Sequence, residues 1–338
     1  MVEFRTGIYM FACLIPLFLS TYRILLLKDF SSFWDAKQYL AGFQAIQLTG
    51  EISAARPYFG KFTEIILSLI YLFLSLFFSV DSIQEILIVN NSIFWVIYIP
   101  AIRIFLGKIF LNLETRVNHD RFVNMLWLII LYTTPIGIAM QVGRQAICFS
   151  LIILIVGIFS NFKFKILPIS LYLVTLITHI YSIVTAFIVL KIYQAKFILA
   201  IIPLIITIIM IYLALPLYNK YVPELYSQTT ISEFSNPYLN YTFIIILLFF
   251  LPTQRTDWKI KKVTFSCIII GMVFLYAYQP LFLAQRLLFG MDHVLLIIIC
   301  STLLVRRYKK ISNHLILKSY VILPVSFMIK IIESVVLL

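Results

Sequence analysis

The sequence predicts an all-α membrane protein, a polytopic transmembrane helical bundle of about 10–11 passes, and three observations carry that reading. Hydrophobic residues make up 62% of the 338 positions and charged ones only 12%, with a mean hydropathy of +1.02, which excludes an ordinary water-soluble domain. The apolar residues are gathered into runs that approach or exceed the ~20 residues needed to cross ~30 Å of hydrocarbon. Within each run the hydrophobicity is continuous and does not alternate, so strands of a β-barrel are excluded.

The runs lie at 7–27, 62–80, 86–106, 122–140, 146–160, 166–190, 198–217, 240–252, 263–283, 287–305 and 315–335, and one integral membrane domain fills 1–338. No small-residue cleavage site follows the first run and further helices do, so it reads as a retained span. The longest interruption, 28–61, is polar, aromatic and amphipathic, and is expected as short helices at an interface. Its basic residues Lys28, Lys37, Arg56 and Lys61 stand against Asp29, Asp35 and Glu51, which leaves its side open.

The net charge of +13 lies in short loops, so a bias towards the cytoplasm explains it without nucleic acid. Two loops, Arg255 with Lys259, Lys261 and Lys262, then Arg306, Arg307, Lys309 and Lys310, are expected inside. Counting back from them puts Asn161–Lys165 outside, against its own two lysines. A broken or re-entrant helix near residue 179, within 166–190, reconciles these charges; a single kinked helix is the alternative. With the break, Arg144 falls outside and the basic loop from Arg103 to Arg121 inside. Cys13, Cys148, Cys267 and Cys300 each sit in an apolar run and read as small buried residues, with no disulfide or metal spacing.

Ionisable groups at membrane depth are costly and are candidate functional residues. Arg144 in Gln-Val-Gly-Arg-Gln-Ala (141–146) and His179 in Leu-Ile-Thr-His-Ile-Tyr-Ser (176–182) stand out. Arg144 at a helix start combines a bidentate cation with free backbone N–H groups, an anion site; a snorkelling arginine is the alternative. His179 is either a general base or a packing residue bonded to a hydroxyl such as Thr175 or Ser182. There is no P-loop, no Gly-rich nucleotide loop and no Asp-x-Asp pair, so no cofactor or metal is expected.

Asp35-x-x-x-Tyr39 after the first span, Gly143-Arg144-Gln145-Ala146 opening a helix, and the downstream Thr178-His179-x-Tyr181-Ser182 together resemble the EpsG-type and O-antigen polymerase (Wzy) membrane proteins of bacterial polysaccharide assembly. The resemblance implies a glycosyltransferase in the bacterial inner membrane that joins undecaprenyl-pyrophosphate-linked oligosaccharides at the periplasmic face. It implies His179 as the base, with Asp35 as the competing base or sugar-orienting group. Arg144 and Arg286, in Tyr-Gln-Pro-Leu-Phe-Leu-Ala-Gln-Arg (278–286), would hold pyrophosphates, and Tyr39, Gln145 and Tyr181 complete the substrate-binding set. Membrane lipid and a chain-length regulator are the further partners to expect. The long arginine-bearing loops of some polymerases are not evident here. A flippase of lipid-linked glycans, for which paired repeats would be expected, and a ligase-like enzyme are the competing functions.

Overall fold

The computed structural model describes residues 2–28, 30, 34–59, 65–111, 116–134, 143–159, 166–178, 186, 190 and 313–335, and every regular element among them is helical. Among the described residues, three stretches are long and apolar enough to cross a membrane: Gly7–Leu26, Ile83–Ile109 and Asn313–Ile332. Shorter apolar helices cover Ile65–Ser75, Ala146–Phe159 and Ile166–Thr178. The expected runs from 198 to 305 lie outside the described residues.

The first run is two helices, α1 (Val2–Ala12) and α2 (Ile15–Leu26), with the break set by Pro16. Proline has no N–H to give the carbonyl four residues back. That carbonyl belongs to Ala12, and it accepts instead from the Tyr132 hydroxyl at 3.0 Å, so the break is tied to a distant helix.

α3 (Trp34–Thr49), a 3-10 turn (Ile52–Ala55) and α4 (Arg56–Phe59) fill the polar interruption with short helices, as its pattern suggested. α5 (Ile65–Ser75) occupies the expected span at 62–80, but its 11 residues reach only about 16 Å, well short of the hydrocarbon thickness. α6 (Ile83–Ile109) is the longest helix, and its start is pinned by a capping box in which the Ser82 hydroxyl accepts from Glu85 N–H at 3.2 Å and the Glu85 carboxylate accepts from Ser82 N–H at 3.2 Å.

Named contacts give the direction of each helix. α7 (Arg116–Thr133) runs antiparallel to α6: Phe110 meets Phe122 at 5.5 Å, Trp127 Nε1 donates to Ile99 O at 2.8 Å, and the Tyr98 and Thr134 hydroxyls bond at 3.0 Å. α8 (Gly143–Phe159) runs parallel to α6, because Gly143 lies against Asn90 and Gly157 against Phe105. A Cβ at Gly157 would stand 2.9 Å from the Phe105 Cα, so this pair needs a glycine to close to backbone distance. Gly143, the buried Ser150 and Gly157 recur every seven residues, a small-residue seam that lets two helices approach. α9 (Ile166–Thr178) packs on α8 after only residues 160–165, so the two are antiparallel.

α2 is antiparallel to α6, since Gln84 Nε2 donates to the Ile24 carbonyl at 3.2 Å and Asn91 Nδ2 to the Ser20 hydroxyl at 2.9 Å. α10 (Asn313–Val335) runs parallel to α7, with the Arg121 guanidinium 5.2 Å from the Tyr320 ring centre and Tyr132 5.3 Å from Phe327.

These directions sort the bundle into two ends. Arg103, Lys108, Arg121 and the start of α10 share one end, and the basic residues 306–310 lie outside the described residues. The end of α2, the start of α6, the end of α7, the start of α8 and the end of α9 share the other, with Arg144. Residues 27–82 therefore begin and end at the Arg144 end.

The interior is mainly apolar but holds polar groups, and the exterior carries large apolar side chains. Ser20, Arg23, Asn90, Asn91, Thr134 and Lys330 are buried, while Phe18, Phe73, Val96, Leu173, Val321 and Met328 are exposed. Exposed apolar side chains of this size suit a lipid-facing surface.

Candidate functional site

The site is built where α3 meets the first turn of α8. The first N–H groups of a helix have no intrahelical acceptor. The Arg144 amide gives its hydrogen to the Tyr39 hydroxyl at 3.3 Å, and Arg144 Nε donates to the same oxygen at 3.0 Å. The guanidinium carbon also lies 5.2 Å from the Tyr39 ring centre. One buried tyrosine, 105 positions away in the chain, thus caps the helix and holds its arginine.

Tyr39 is itself set by aromatic packing. The Phe59 ring stands 6.0 Å from it, over Gly42, where a Cβ would overlap that ring. Phe59 and Phe43 both lie edge-on to Tyr71 of α5, at 5.9 and 5.1 Å. The Tyr71 hydroxyl donates to Asn90 Oδ1 at 2.5 Å. Asn90 is 1% exposed, and its Nδ2 has no hydrogen-bond partner among the described residues. Its side chain closes the circle by lying beside Gly143, one residue before Arg144.

Two of the expected site residues, Tyr39 and Arg144, are therefore in direct contact. Asp35 lies one turn before Tyr39 in α3, on the same face, and Gln145 follows Arg144 in α8; their side chains lie outside the described set. His179, Tyr181 and Arg286 also lie outside the described residues. Thr178, the residue before His179, ends α9 at the Arg144 end, and its buried hydroxyl has no hydrogen-bond partner among the described residues. A Cβ at Gly143 would meet nothing nearer than Tyr39 Cε2 at 3.6 Å, an ordinary contact, so the packing there does not demand a glycine.

Sequence reasoning missed Asn90, Tyr71 and a second polar cluster centred on Lys330. Lys330 is fully buried, donates to the Thr134 carbonyl and lies 5.7 Å from the Trp95 ring centre. Trp95 Nε1 donates to Asn91 Oδ1 at 3.1 Å, and Asn91 Nδ2 reaches Ser20 and Thr21 at 2.9 and 3.3 Å. The cluster ties α10, α7, α6 and α2 together. An Asn-Asn pair inside an apolar run and a lysine in Met-Ile-Lys-Ile-Ile (328–332) were the signals available for these groups.

Chemically, the Arg144 end gathers a cation, the first turn of a helix and the Asn90 amide beside the Tyr39 ring. That set suits an anionic oxygen on an apolar carrier. Comparison with family models, with curated proteins and with solved structures returns no match.

Proposed function

We propose that the chain is a polysaccharide polymerase: a multi-pass glycosyltransferase of the bacterial inner membrane that joins oligosaccharide units carried on undecaprenyl pyrophosphate. The observation that carries the reading is the junction of Tyr39 with Arg144, which unites two of the three motifs behind the resemblance at one end of the bundle. In this reading the Arg144 end opens to the periplasm, and the basic end with Arg103, Lys108 and Arg121 faces the cytoplasm.

The reaction moves the growing glycan from one lipid pyrophosphate to the terminal sugar of another unit. An acceptor hydroxyl oxygen bonds to the anomeric carbon, the bond from that carbon to the phosphate oxygen breaks, and the hydroxyl proton passes to a base. His179 is the first candidate for that base and Asp35, one turn from Tyr39, the second. Arg144 holds the leaving pyrophosphate, Arg286 is assigned to the second lipid, and Gln145 and Tyr181 line the substrate. Tyr39 gains a role as the positioning residue of Arg144. Arginine suits the task because its planar fork binds two phosphate oxygens and stays charged.

A flippase is the competing reading, favoured by the buried Lys330 cluster, since charged groups at membrane depth also mark transport paths. A deletion strain separates the two readings. Loss of a polymerase leaves single repeat units on the final acceptor, loss of a flippase leaves no surface unit, and loss of a ligase leaves long chains on the carrier. Long chains of normal length in the deletion strain would end the polymerase reading.

A further inference from the structure

We infer that Arg121 and Tyr320 form a headgroup site for an anionic phospholipid in the leaflet at the basic end, with an acyl chain laid along α10; the inference needs only that the chain spans a membrane. The first observation is a guanidinium backed by an aromatic ring. Arg121 of α7 is exposed, and its guanidinium carbon stands 5.2 Å from the centre of the Tyr320 ring on α10. Among the described residues it makes no hydrogen bond or ion pair, so the ring holds a cation whose N–H donors are left for a ligand. The neighbouring carboxylate, Asp120, acts on Arg103 of α6.

The second observation is depth. Phe110, just past α6, packs on Phe122 at 5.5 Å, so Arg121 is level with the end of that helix. The 27 residues of α6 make about 40 Å against ~30 Å of hydrocarbon, which puts the helix end, and Arg121 with it, among the headgroups. The third is the surface that leads away from the ring. Val321, Val325, Met328 and Ile332 are exposed along one face of α10 and run from Tyr320 towards the far end of the bundle. From 321 to 332 that face is about 16 Å long, the hydrocarbon depth of one leaflet. The lipid is anionic because Arg103, Lys108, Arg121 and Lys318 stand against a single acid, Asp120, among the described side chains at that end. A phosphodiester accepts from the guanidinium fork while its tail covers the apolar face.

The test uses the full chain in detergent, titrated with phosphatidylglycerol and, separately, phosphatidylcholine, with bound lipid counted by native mass spectrometry. The wild type should hold phosphatidylglycerol in preference to phosphatidylcholine. Arg121→Gln should weaken phosphatidylglycerol binding about tenfold, Tyr320→Leu about threefold, and Tyr320→Phe, which keeps the ring, should bind as the wild type does. Glycerol phosphate, the same charge without tails, should not displace the lipid. Equal retention of the two lipids, or wild-type binding by Arg121→Gln, would overturn the site. Displacement by glycerol phosphate would make it a site for free phosphate, and a dimer that Arg121→Gln dissolves would make it a contact with a second copy; either result overturns the lipid assignment. Should Arg121→Gln fail to fold, Tyr320→Leu decides, since wild-type binding by that variant contradicts the inference.

Discussion

Removing one oxygen, Tyr39→Phe, tests the junction between α3 and α8. The substitution keeps the ring, and with it the cation–π contact at 5.2 Å, but deletes the acceptor for the Arg144 amide at 3.3 Å and for Nε at 3.0 Å. Loss of the helix-capping bond costs about 1 kcal/mol. The bond to the guanidinium would be worth about 1.5–3 kcal/mol in a soluble core, whereas side-chain bonds inside membrane proteins average about 0.6 kcal/mol. Arg144 is half-buried, so about 1 kcal/mol is the fair figure, and Tyr39→Phe should cost about 2 kcal/mol in all. In an Arg144→Ala background the bond to the guanidinium is already gone, so the cost should fall by about 1 kcal/mol, a coupling of about 1 kcal/mol. Reversible denaturation in mixed micelles, followed by tryptophan fluorescence across the four proteins of the cycle, measures it. A coupling below about 0.3 kcal/mol, within the additivity expected of independent sites, would refute the contact and the positioning role of Tyr39.

Gly157→Ala should destabilise the bundle by about 1–3 kcal/mol in the same denaturation assay, since its new methyl would stand 2.9 Å from Phe105 backbone atoms; stability equal to wild type would show that α6 and α8 do not touch there. Lys330→Glu should deplete folded protein from the membrane by setting a carboxylate against the Thr134 carbonyl, while Lys330→Met should not; equal abundance of the two variants on immunoblots would exclude the buried contact. In a variant lacking the four native cysteines, a membrane-impermeant thiol reagent applied from the periplasm should label Leu48→Cys and spare Leu111→Cys, at exposed positions (86% and 59%) at opposite ends of the bundle; labelling of both, or the reverse, would overturn the assigned sides.

What could be read from the chain and what could not has a physical basis. Arg144 stood out because a charge in an apolar context has few explanations, Tyr39 only through its spacing from Asp35, and the structure brings the two into contact. Asn90 did not stand out, because a neutral amide inside a 27-residue apolar helix scarcely alters its hydropathy. Its place beside Gly143 comes only from the parallel packing of α6 and α8. Lys330 was similarly absorbed into the last apolar run. Pro16 was visible throughout, yet a break at 13–14 depended on Tyr132 accepting the role of partner to Ala12, a tertiary fact. The run at 62–80 was counted as a crossing because hydropathy records apolar length and not the helix that forms; α5 stops after Ser75.

The most direct test of the central claim is the length of the glycan made in cells whose only copy carries Arg144→Lys, a change that keeps the charge and removes the bidentate fork. The account predicts single or very short repeats at near-normal protein abundance. Full-length glycan in that strain would contradict it, because the end of the bundle where Tyr39 grips Arg144 would then not be the reaction centre.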